Sequence, residues 1–190
     1  MDKKQHIIDY AADTAVMNTY GRAEIAFVQG DGCWLESESN ERFLDCASGI
    51  AVNTLGHAHP RLVAALQDQA SKLWHTSNLY RIPGQEAVAK QLASLSGLDQ
   101  VFFCNSGAEA TEAAVKIARR AAHENGMPDR MTILCSSGAF HGRTLGMLAA
   151  TDRPAFRTGF GPLPAGFDHV PFGNIQELRA AMGPHIAAVM

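Results

Sequence analysis

The chain has 190 residues, of which 46% are hydrophobic and 18% are charged, and its formal net charge is −3, which is ordinary for a soluble globular protein. The basic residues are scattered, which argues against a nucleic-acid-binding face. No apolar stretch reaches the roughly 20 residues that span a bilayer. The first residues, MDKKQHIIDY, lack the apolar run of a secretory signal. The 4 cysteines form no C-x-x-C pair, so we expect reduced, buried thiols in a cytoplasmic protein rather than a disulfide framework or zinc site.

The amino-terminal third predicts a short helix and then a small antiparallel sheet. Residues 5–13 are assigned to the helix, and strand and turn signals alternate from Ile25 to Asp45. Gly30-Asp31-Gly32 predicts the first turn of a hairpin, and Ser39-Asn40 predicts the second. A unit this thin must pack on something else, and the composition shifts before Pro60, where we place a domain boundary.

The segment from Ser48 to Pro60 is small, mixed and irregular, so we expect it to lie along a surface or an interface. It carries His57 and His59, whose side chains would point to one side of an extended chain. A metal site needs more ligands than these two, and no third ligand stands at a useful spacing. Structural hydrogen bonding or helix capping is therefore the favoured interpretation. Pro60 then begins a helix, where its missing N–H costs nothing.

The centre of the chain predicts a strand, a tight turn and a long helix. Gln100–Cys104 is an apolar run typical of a buried parallel strand, Asn105-Ser106-Gly107 interrupts it, and the helix follows from Ala108. Glu112 and Lys116 are expected to pair on the solvent side of this helix. A mostly alanine face is expected to pack closely against a sheet, and it consists of Ala110, Ala113, Ala114, Ile117, Ala118 and Ala121.

The turn before this helix has two compatible interpretations. The free N–H groups of Gly107 and Ala108 and the positive end of the helix dipole predict an anion site. Ser106 and Glu109 also have the S-x-x-E spacing of a capping box, in which the serine oxygen accepts from the N–H of Glu109. Ser106 can therefore cap the helix or donate its hydroxyl to a phosphate.

A second strand, Met131–Ser136, establishes an alternation of strands and helices that predicts an α/β fold with a mainly parallel sheet. Ligands bind outside the carboxyl ends of such strands, so we expect Ser137–Thr144 and Asn105–Ala108 to face one crevice. Phe140 can lie over a planar heterocycle, and Arg143 suits a carboxylate. The alternatives that stay open are core packing for Phe140 and a surface ion pair for Arg143.

The remaining chain predicts a connector and a last strand–helix–strand unit. Arg153–Phe167 is rich in Pro, Gly and Phe, which favours an ordered connector. His169–Phe172 predicts a short strand, Ile175–Met182 a helix, and Ile186–Met190 a final strand. Because the chain stops inside this apolar run, we expect it to be the amino-terminal part of a longer protein.

Several motifs together resemble a known family. NSGAEATEAAVKIARR followed by GAFHGRTLG is similar to the acetylornithine aminotransferase family, within the class III pyridoxal-phosphate aminotransferases. SGIAVNTLGHAHP, KLWHTSN and GFGPLPAGFDHVPF agree with that family in order and spacing. The resemblance implies the aspartate-aminotransferase fold (fold type I), with pyridoxal 5'-phosphate as cofactor and a homodimer. Residues 1–59 would belong to a small α+β domain, and residues 60–190 would be the first part of the large cofactor-binding domain.

The resemblance also implies roles for individual residues and a reaction. The implied cofactor-binding residues are Ser106, Gly107 and Ala108 at the phosphate and Phe140 on the pyridine ring, and the implied substrate-binding residues are Arg143 at a carboxylate and Tyr20 in the pocket wall. The implied reaction transfers the amino group of N-acetylornithine to 2-oxoglutarate, in arginine biosynthesis. No metal, nucleic acid or membrane is expected as a partner.

The chain departs from the family in one respect, because the family's Schiff-base lysine lies well downstream of this region. None of the chain's lysines stands in a matching motif, and these are Lys3, Lys4, Lys72, Lys90 and Lys116. We therefore expect the isolated chain to be inactive. Succinylornithine, ornithine or 4-aminobutyrate transamination are alternatives within the class, and a non-catalytic phosphate-binding fragment is the alternative outside it. Nucleotide binding is disfavoured, since neither G-x-x-x-x-G-K-[ST] nor G-x-G-x-x-G occurs at the turn.

Overall fold

A computed structural model describes residues 15–190, so the helix expected at residues 5–13 lies outside the described residues. The chain divides into two compact units between Ile82 and Pro83. The domain boundary expected before Pro60 stays a prediction. No helix within residues 15–190 has both the length and the apolarity required to cross a membrane.

The first unit contains the antiparallel sheet that the turn signals predict. Its strands are β1 (Phe27–Asp31), β2 (Trp34–Ser37) and β3 (Arg42–Leu44), in the order β1-β2-β3. Trp34 is the residue that pairs with Asp31 on one side and with Leu44 on the other. Strand β2 is therefore the central strand and belongs to both hairpins.

The segment after this sheet is irregular, as expected, although it includes a short helical turn, α1 (Ser48–Ala51). Ser48, Gly49, Ile50 and Ala51 all have positive φ, between 48° and 63°, so the turn is left-handed. It leads to α2 (Pro60–Ala70), whose first residue is the predicted proline.

His57 fastens this segment to the sheet. Its N–H donates to the carbonyl of Gly32 at 2.7 Å, and the N–H of Gly32 donates back at 3.0 Å. Its Nε2 lies 2.7 Å from Oδ2 of Asp45, whose other oxygen accepts from the N–H groups of Ala47 and Ser48. Structural hydrogen bonding is thus confirmed for His57, whereas His59 makes no side-chain capping bond to α2.

The second unit is a parallel α/β layer structure, which confirms the predicted fold class for this part of the chain. Its sheet has the order β5-β4-β6, and both pairings are parallel. Its elements are α3 (Pro83–Ser96), α4 (Gly107–Glu124), β4 (Thr132–Ser136), α5 (Leu145–Ala150), α6 (Pro154–Arg157), β5 (Phe167–Val170), α7 (Ile175–Ala181) and β6 (Ile186–Val189).

The core of this unit lies on the two faces of β4. On one face Ile133 and Cys135 pack against Val115 of α4 and against α5, and on the other face Leu134 packs against β5 and β6 below α7. Successive residues of β4 thus point to opposite helix layers, as the pleat requires. Burial raises the pKa of the Cys135 thiol to about 11. The expectation of buried thiols is wrong for the other cysteines, since Cys33, Cys46 and Cys104 are exposed.

The structure differs from the sequence-based prediction at Gln100–Cys104, which forms no strand. A strand requires a neighbour for its N–H and C=O groups, and no strand within residues 15–190 pairs with this run. Phe102 is 66% exposed there. Strand β5 also begins earlier than expected, at Phe167 rather than His169, and ends before Pro171, which has no N–H for a ladder.

The predicted packing face of α4 is confirmed only at Ala118, which packs against the core. The helix buries Val115 and Ala122, while Ile117 of the predicted face is 60% exposed. Val115 and Ile117 lie about 200° apart around the helix axis, and alanines surround both of them. The periodicity therefore could not select one face.

Candidate functional site

The first part of the site is the beginning of α4. Ser106 is the N-cap residue, and its Oγ accepts from the N–H of Glu109 at 3.2 Å. The Glu109 carboxylate reaches back to the N–H of Asn105 at 2.5 Å. The predicted capping box is confirmed, with the return bond one residue earlier than in the ideal motif.

The N–H groups of Gly107 and Ala108 donate to no acceptor within residues 15–190. A Cβ added at Gly107 would meet no atom within 4 Å, so the space beside this residue is open. The Ser106 hydroxyl also keeps its proton, because its hydrogen bond to Glu109 uses only the oxygen. Three donors at the positive end of an 18-residue helix can together bind an anion.

The second part of the site is the loop between β4 and α5, which is anchored from three sides. The N–H of Ser137 donates to the carbonyl of Val170 at 2.7 Å, and the N–H of His141 donates to Oγ1 of Thr151 at 3.0 Å. The hydroxyl of Thr111, in the second turn of α4, lies 2.7 Å from the carbonyl oxygen of His141. The loop is therefore held by α4 as well as by its own sheet.

The two predicted loops come together at Gly142. This buried residue has a φ of 132°, and a Cβ added to it would lie 3.1 Å from Cβ of Ala108. The chain thus passes against the first turn of α4, beside the two free amides. Only a residue without a side chain fits between the loop and α4, so glycine at position 142 allows this contact.

Glu112 completes this contact from the helix side. Its Oε1 accepts from the hydroxyl of Thr144, which is itself the N-cap of α5 and accepts from the N–H of Met147 at 3.2 Å. A Cβ at Gly146 would lie 2.6 Å from the same Oε1, so the carboxylate rests against the α5 backbone. The expectation that Glu112 faces solvent beside Lys116 is therefore wrong.

Three side chains form an aromatic–cationic cluster beside the loop. Cζ of Arg143 lies 4.0 Å from the ring centroid of Phe156 and 5.6 Å from that of Phe140. The two rings meet edge to face at 6.1 Å. Phe140 is 55% exposed, which disfavours core packing, and Arg143 forms no ion pair within residues 15–190. A half-exposed ring and an uncommitted guanidinium are thus available to a ligand.

His141, the residue after Phe140, has a buried Nε2 with no hydrogen-bond partner within residues 15–190. Burial lowers its pKa, and the charge of His169 lowers it further. The ring is therefore neutral near pH 7 and contributes no charge to the site.

The sequence-predicted residues are distributed over both units. Ser106, Gly107, Ala108, Phe140 and Arg143 all belong to the second unit, where Ala108 and Gly142 join their two segments. The sixth residue, the 64% exposed tyrosine at position 20, belongs to the first unit, and its place in a substrate pocket stays a prediction.

Sequence reasoning missed Thr111, Glu112, Thr144 and Phe156. Thr144 precedes an apolar run and carries a usable capping signal. The other three are defined by partners far away in the chain, so no local pattern marks them. Within residues 15–190, no group of three His, Cys, Asp or Glu side chains is placed to hold a metal ion.

Comparison with known proteins identifies the family. The pattern of the aminotransferase class-III family matches residues 15–190. The acetylornithine aminotransferase of Agrobacterium fabrum is 50% identical over 179 residues, a match that covers 94% of this chain and 45% of that protein.

Solved structures agree with this match. The ornithine aminotransferase of Toxoplasma gondii has a TM-score of 0.86 at 29% identity, over 92% of this chain and 42% of that one. The N-acetylornithine aminotransferase of Stenotrophomonas maltophilia K279a has a TM-score of 0.73 at 36% identity, over 91% and 42%. This chain therefore spans less than half the length of these relatives. Their fold is type I, their cofactor class is pyridoxal 5'-phosphate, and the present chain belongs to the class-III aminotransferases.

Proposed function

We propose that this chain is the amino-terminal part of an aminotransferase that transfers the amino group of N-acetylornithine to 2-oxoglutarate. The observation that carries the proposal is the contact of Ala108 with Gly142, which joins an open pair of amides to an exposed ring and a free guanidinium. The 50% identity to the Agrobacterium fabrum acetylornithine aminotransferase supports the choice of amino donor, and with it a place in arginine biosynthesis.

The residues at the start of α4 fit a phosphorylated ring cofactor. The open N–H groups of Gly107 and Ala108 and the hydroxyl of Ser106 would bind the phosphate of pyridoxal 5'-phosphate, and the half-exposed ring of Phe140 would lie on the pyridine. When bound, this cofactor supplies an electron sink for amino-group transfer. The chain's own contribution is to bind and orient it.

Arg143 would bind a carboxylate of the substrate. A guanidinium presents its N–H donors in a planar fork that matches a carboxylate, and those of Arg143 are uncommitted within residues 15–190. Its positive charge suits a dicarboxylate such as 2-oxoglutarate. We also propose, by family resemblance, that Tyr20 is a substrate-binding residue.

The Schiff-base lysine is proposed to lie outside these residues, so that the isolated chain completes no turnover. Among the described lysines, Lys116 is exposed on α4, and Lys72, just after α2, forms an ion pair with Asp68 at 2.6 Å. We also propose that the protein acts as a cytoplasmic homodimer. Succinylornithine and 4-aminobutyrate remain alternative donors within the class.

Ornithine is the second candidate donor. The specific observation in its favour is the TM-score of 0.86 to the Toxoplasma gondii ornithine aminotransferase. It has less support, because that protein is 29% identical to this chain whereas the Agrobacterium fabrum protein is 50% identical.

The test uses the intact protein encoded by the complete coding sequence. Glutamate formation from 2-oxoglutarate is measured with N-acetylornithine, succinylornithine, ornithine and 4-aminobutyrate, and we expect the largest kcat/KM with N-acetylornithine. A larger value with another donor would overturn the assignment. The 190-residue chain, incubated with cofactor, reduced with borohydride and mapped by peptides, should carry no specifically modified lysine.

A further inference from the structure

Phe156 contacts both side chains on which the proposed site depends. It lies in α6, near the beginning of the Pro- and Gly-rich connector, and its side chain is half-buried. The guanidinium of Arg143 lies over its ring at 4.0 Å, and the ring of Phe140 meets it at an interplanar angle of 82°. One ring thus touches the side chain proposed to bind the substrate and the side chain proposed to bind the cofactor.

Contact with the face of the Phe156 ring leaves the guanidinium free to bind a carboxylate. A ring attracts a cation through its face, whereas the N–H donors of arginine lie in the guanidinium plane. Arg143 forms no hydrogen bond or ion pair with residues 15–190, so Phe156 restrains this side chain without occupying its donors. An ion pair in the same place would compete with the substrate.

The position of α6 against the loop is itself fixed. Nε of Arg153, the residue that precedes this helix, donates to the carbonyl of Gly138 at 3.0 Å. Pro154 then begins the helix, and Arg157 at its end lies 3.7 Å from Asp152. The loop therefore contacts the α6 segment at two places, through Gly138 and through Arg143. These two contacts determine where the Phe156 ring lies.

We propose that Phe156 is a positioning residue, whose ring holds the Arg143 guanidinium for a dicarboxylate substrate and orients Phe140 toward the cofactor ring. The identity of the ligand rests on the proposed function. The contact between the ring and the guanidinium does not, and this allows the two to be tested separately.

The test compares three substitutions at Phe156 in the intact protein with one elsewhere. Phe156→Leu removes the ring, Phe156→Tyr retains it, and pentafluorophenylalanine at position 156 keeps its shape while removing the attraction for a cation. Phe172→Leu is the matched control, because this phenylalanine is 86% exposed and makes no ring contact with Phe140, Phe156 or Arg143. Binding of glutarate, an unreactive dicarboxylate, is measured by calorimetry, and the Nε–H proton of Arg143 is followed by NMR after assignment with Arg143→Lys.

We expect Phe156→Leu and the pentafluoro variant to raise the glutarate Kd and the KM for 2-oxoglutarate about three- to fivefold, as loss of one cation–π contact predicts, with kcat changed less than twofold. The Arg143 proton should lose its ring-current shift in Phe156→Leu. Phe156→Tyr and Phe172→Leu should behave as wild type. The pentafluoro variant preserves the test if Phe156→Leu fails to fold.

Two results would overturn the proposal. One is an Arg143 resonance that does not move in Phe156→Leu, and the other is a glutarate Kd that stays at the wild-type value in the pentafluoro variant. If the wild-type protein transfers no amino group while these two signals still respond, the proposed function fails and the positioning role stands. Normal transfer with unresponsive signals refutes the positioning role alone.

Discussion

Gly142 lies in the loop after β4 and packs against the first turn of α4, and Gly142→Ala tests whether that contact builds the site. The new Cβ would lie 3.1 Å from Cβ of Ala108 and 3.2 Å from Cβ of Met147. Both neighbours are short or buried and have little room to withdraw, so the loop itself would have to move.

The expected cost has two parts. A residue other than glycine at a φ of 132° carries backbone strain of about 1–3 kcal/mol. Overpacking of a well-packed site adds about 1–3 kcal/mol. We therefore expect Gly142→Ala to lower the free energy of unfolding by about 2–6 kcal/mol, a large part of the roughly 5–15 kcal/mol of a typical domain.

Gly138→Ala is the matched control. It lies in the same loop at a φ of 75°, but a Cβ there would meet nothing within 4 Å. This variant should lose only the left-handed backbone cost of about 1–2 kcal/mol. The assay is urea unfolding of the intact protein, together with the Kd of pyridoxal 5'-phosphate, which should rise in Gly142→Ala more than in Gly138→Ala. Equal effects of the two variants would refute the argument that the Ala108 contact assembles the site.

Three further substitutions test other parts of the structure. Ser106→Ala should lower the free energy of unfolding by about 1 kcal/mol through loss of the N-cap, and it should weaken cofactor binding. Ser106→Thr should retain the stability and the cofactor binding. An unchanged cofactor Kd in Ser106→Ala would limit this serine to capping. Glu112→Ala removes the carboxylate that accepts the hydrogen bond from the Thr144 hydroxyl, so it should increase hydrogen exchange at the α5 amides. Glu112→Gln should restore much of the protection. Unchanged exchange in Glu112→Ala would contradict the role of Glu112 in holding α5. The hydrogen bond from His57, with those from two backbone amides, lowers the pKa of Asp45 below 3.8. The ionised Asp45 carboxylate therefore stabilises the folded state above pH 3.8, and this stabilisation is lost as the pH falls further. An acid-unfolding curve of Asp45→Asn that keeps the wild-type slope below that pH would contradict this assignment.

Local signals in the sequence were sufficient for several elements. The Ser39-Asn40 turn, the proline that begins α2 and the capping box at Ser106 each involve atoms within a few residues of one another, and each lies where expected. The first hairpin turn lies at Gly32-Cys33 rather than at Gly30-Asp31-Gly32, because Gly30 and Asp31 pair with Leu35 and Trp34 in the sheet. The α/β alternation also predicted a parallel sheet, because a crossover helix returns the chain to the end of the sheet at which the previous strand began. The family followed from longer motifs, which the match over residues 15–190 confirmed.

Other features depended on partners that the sequence does not place. Gln100–Cys104 has strand-forming residues but no neighbouring strand among residues 15–190, and α4 has alanines on every side, so their conformation and orientation depend on packing. Glu112 was assigned to solvent by helical spacing, yet it contacts Thr144 from a distant part of the chain.

The amino-acid sequence by itself determined the type of fold, the cofactor class and the capped helix start at which we propose phosphate binding, because these depend on local hydrogen bonding and on motifs. The tertiary structure decided that Gly142 packs on Ala108 and that Arg143 stacks on Phe156. Such contacts join segments far apart in the chain, and their free energy depends on the arrangement of the whole α/β unit. No periodicity within one segment can encode them.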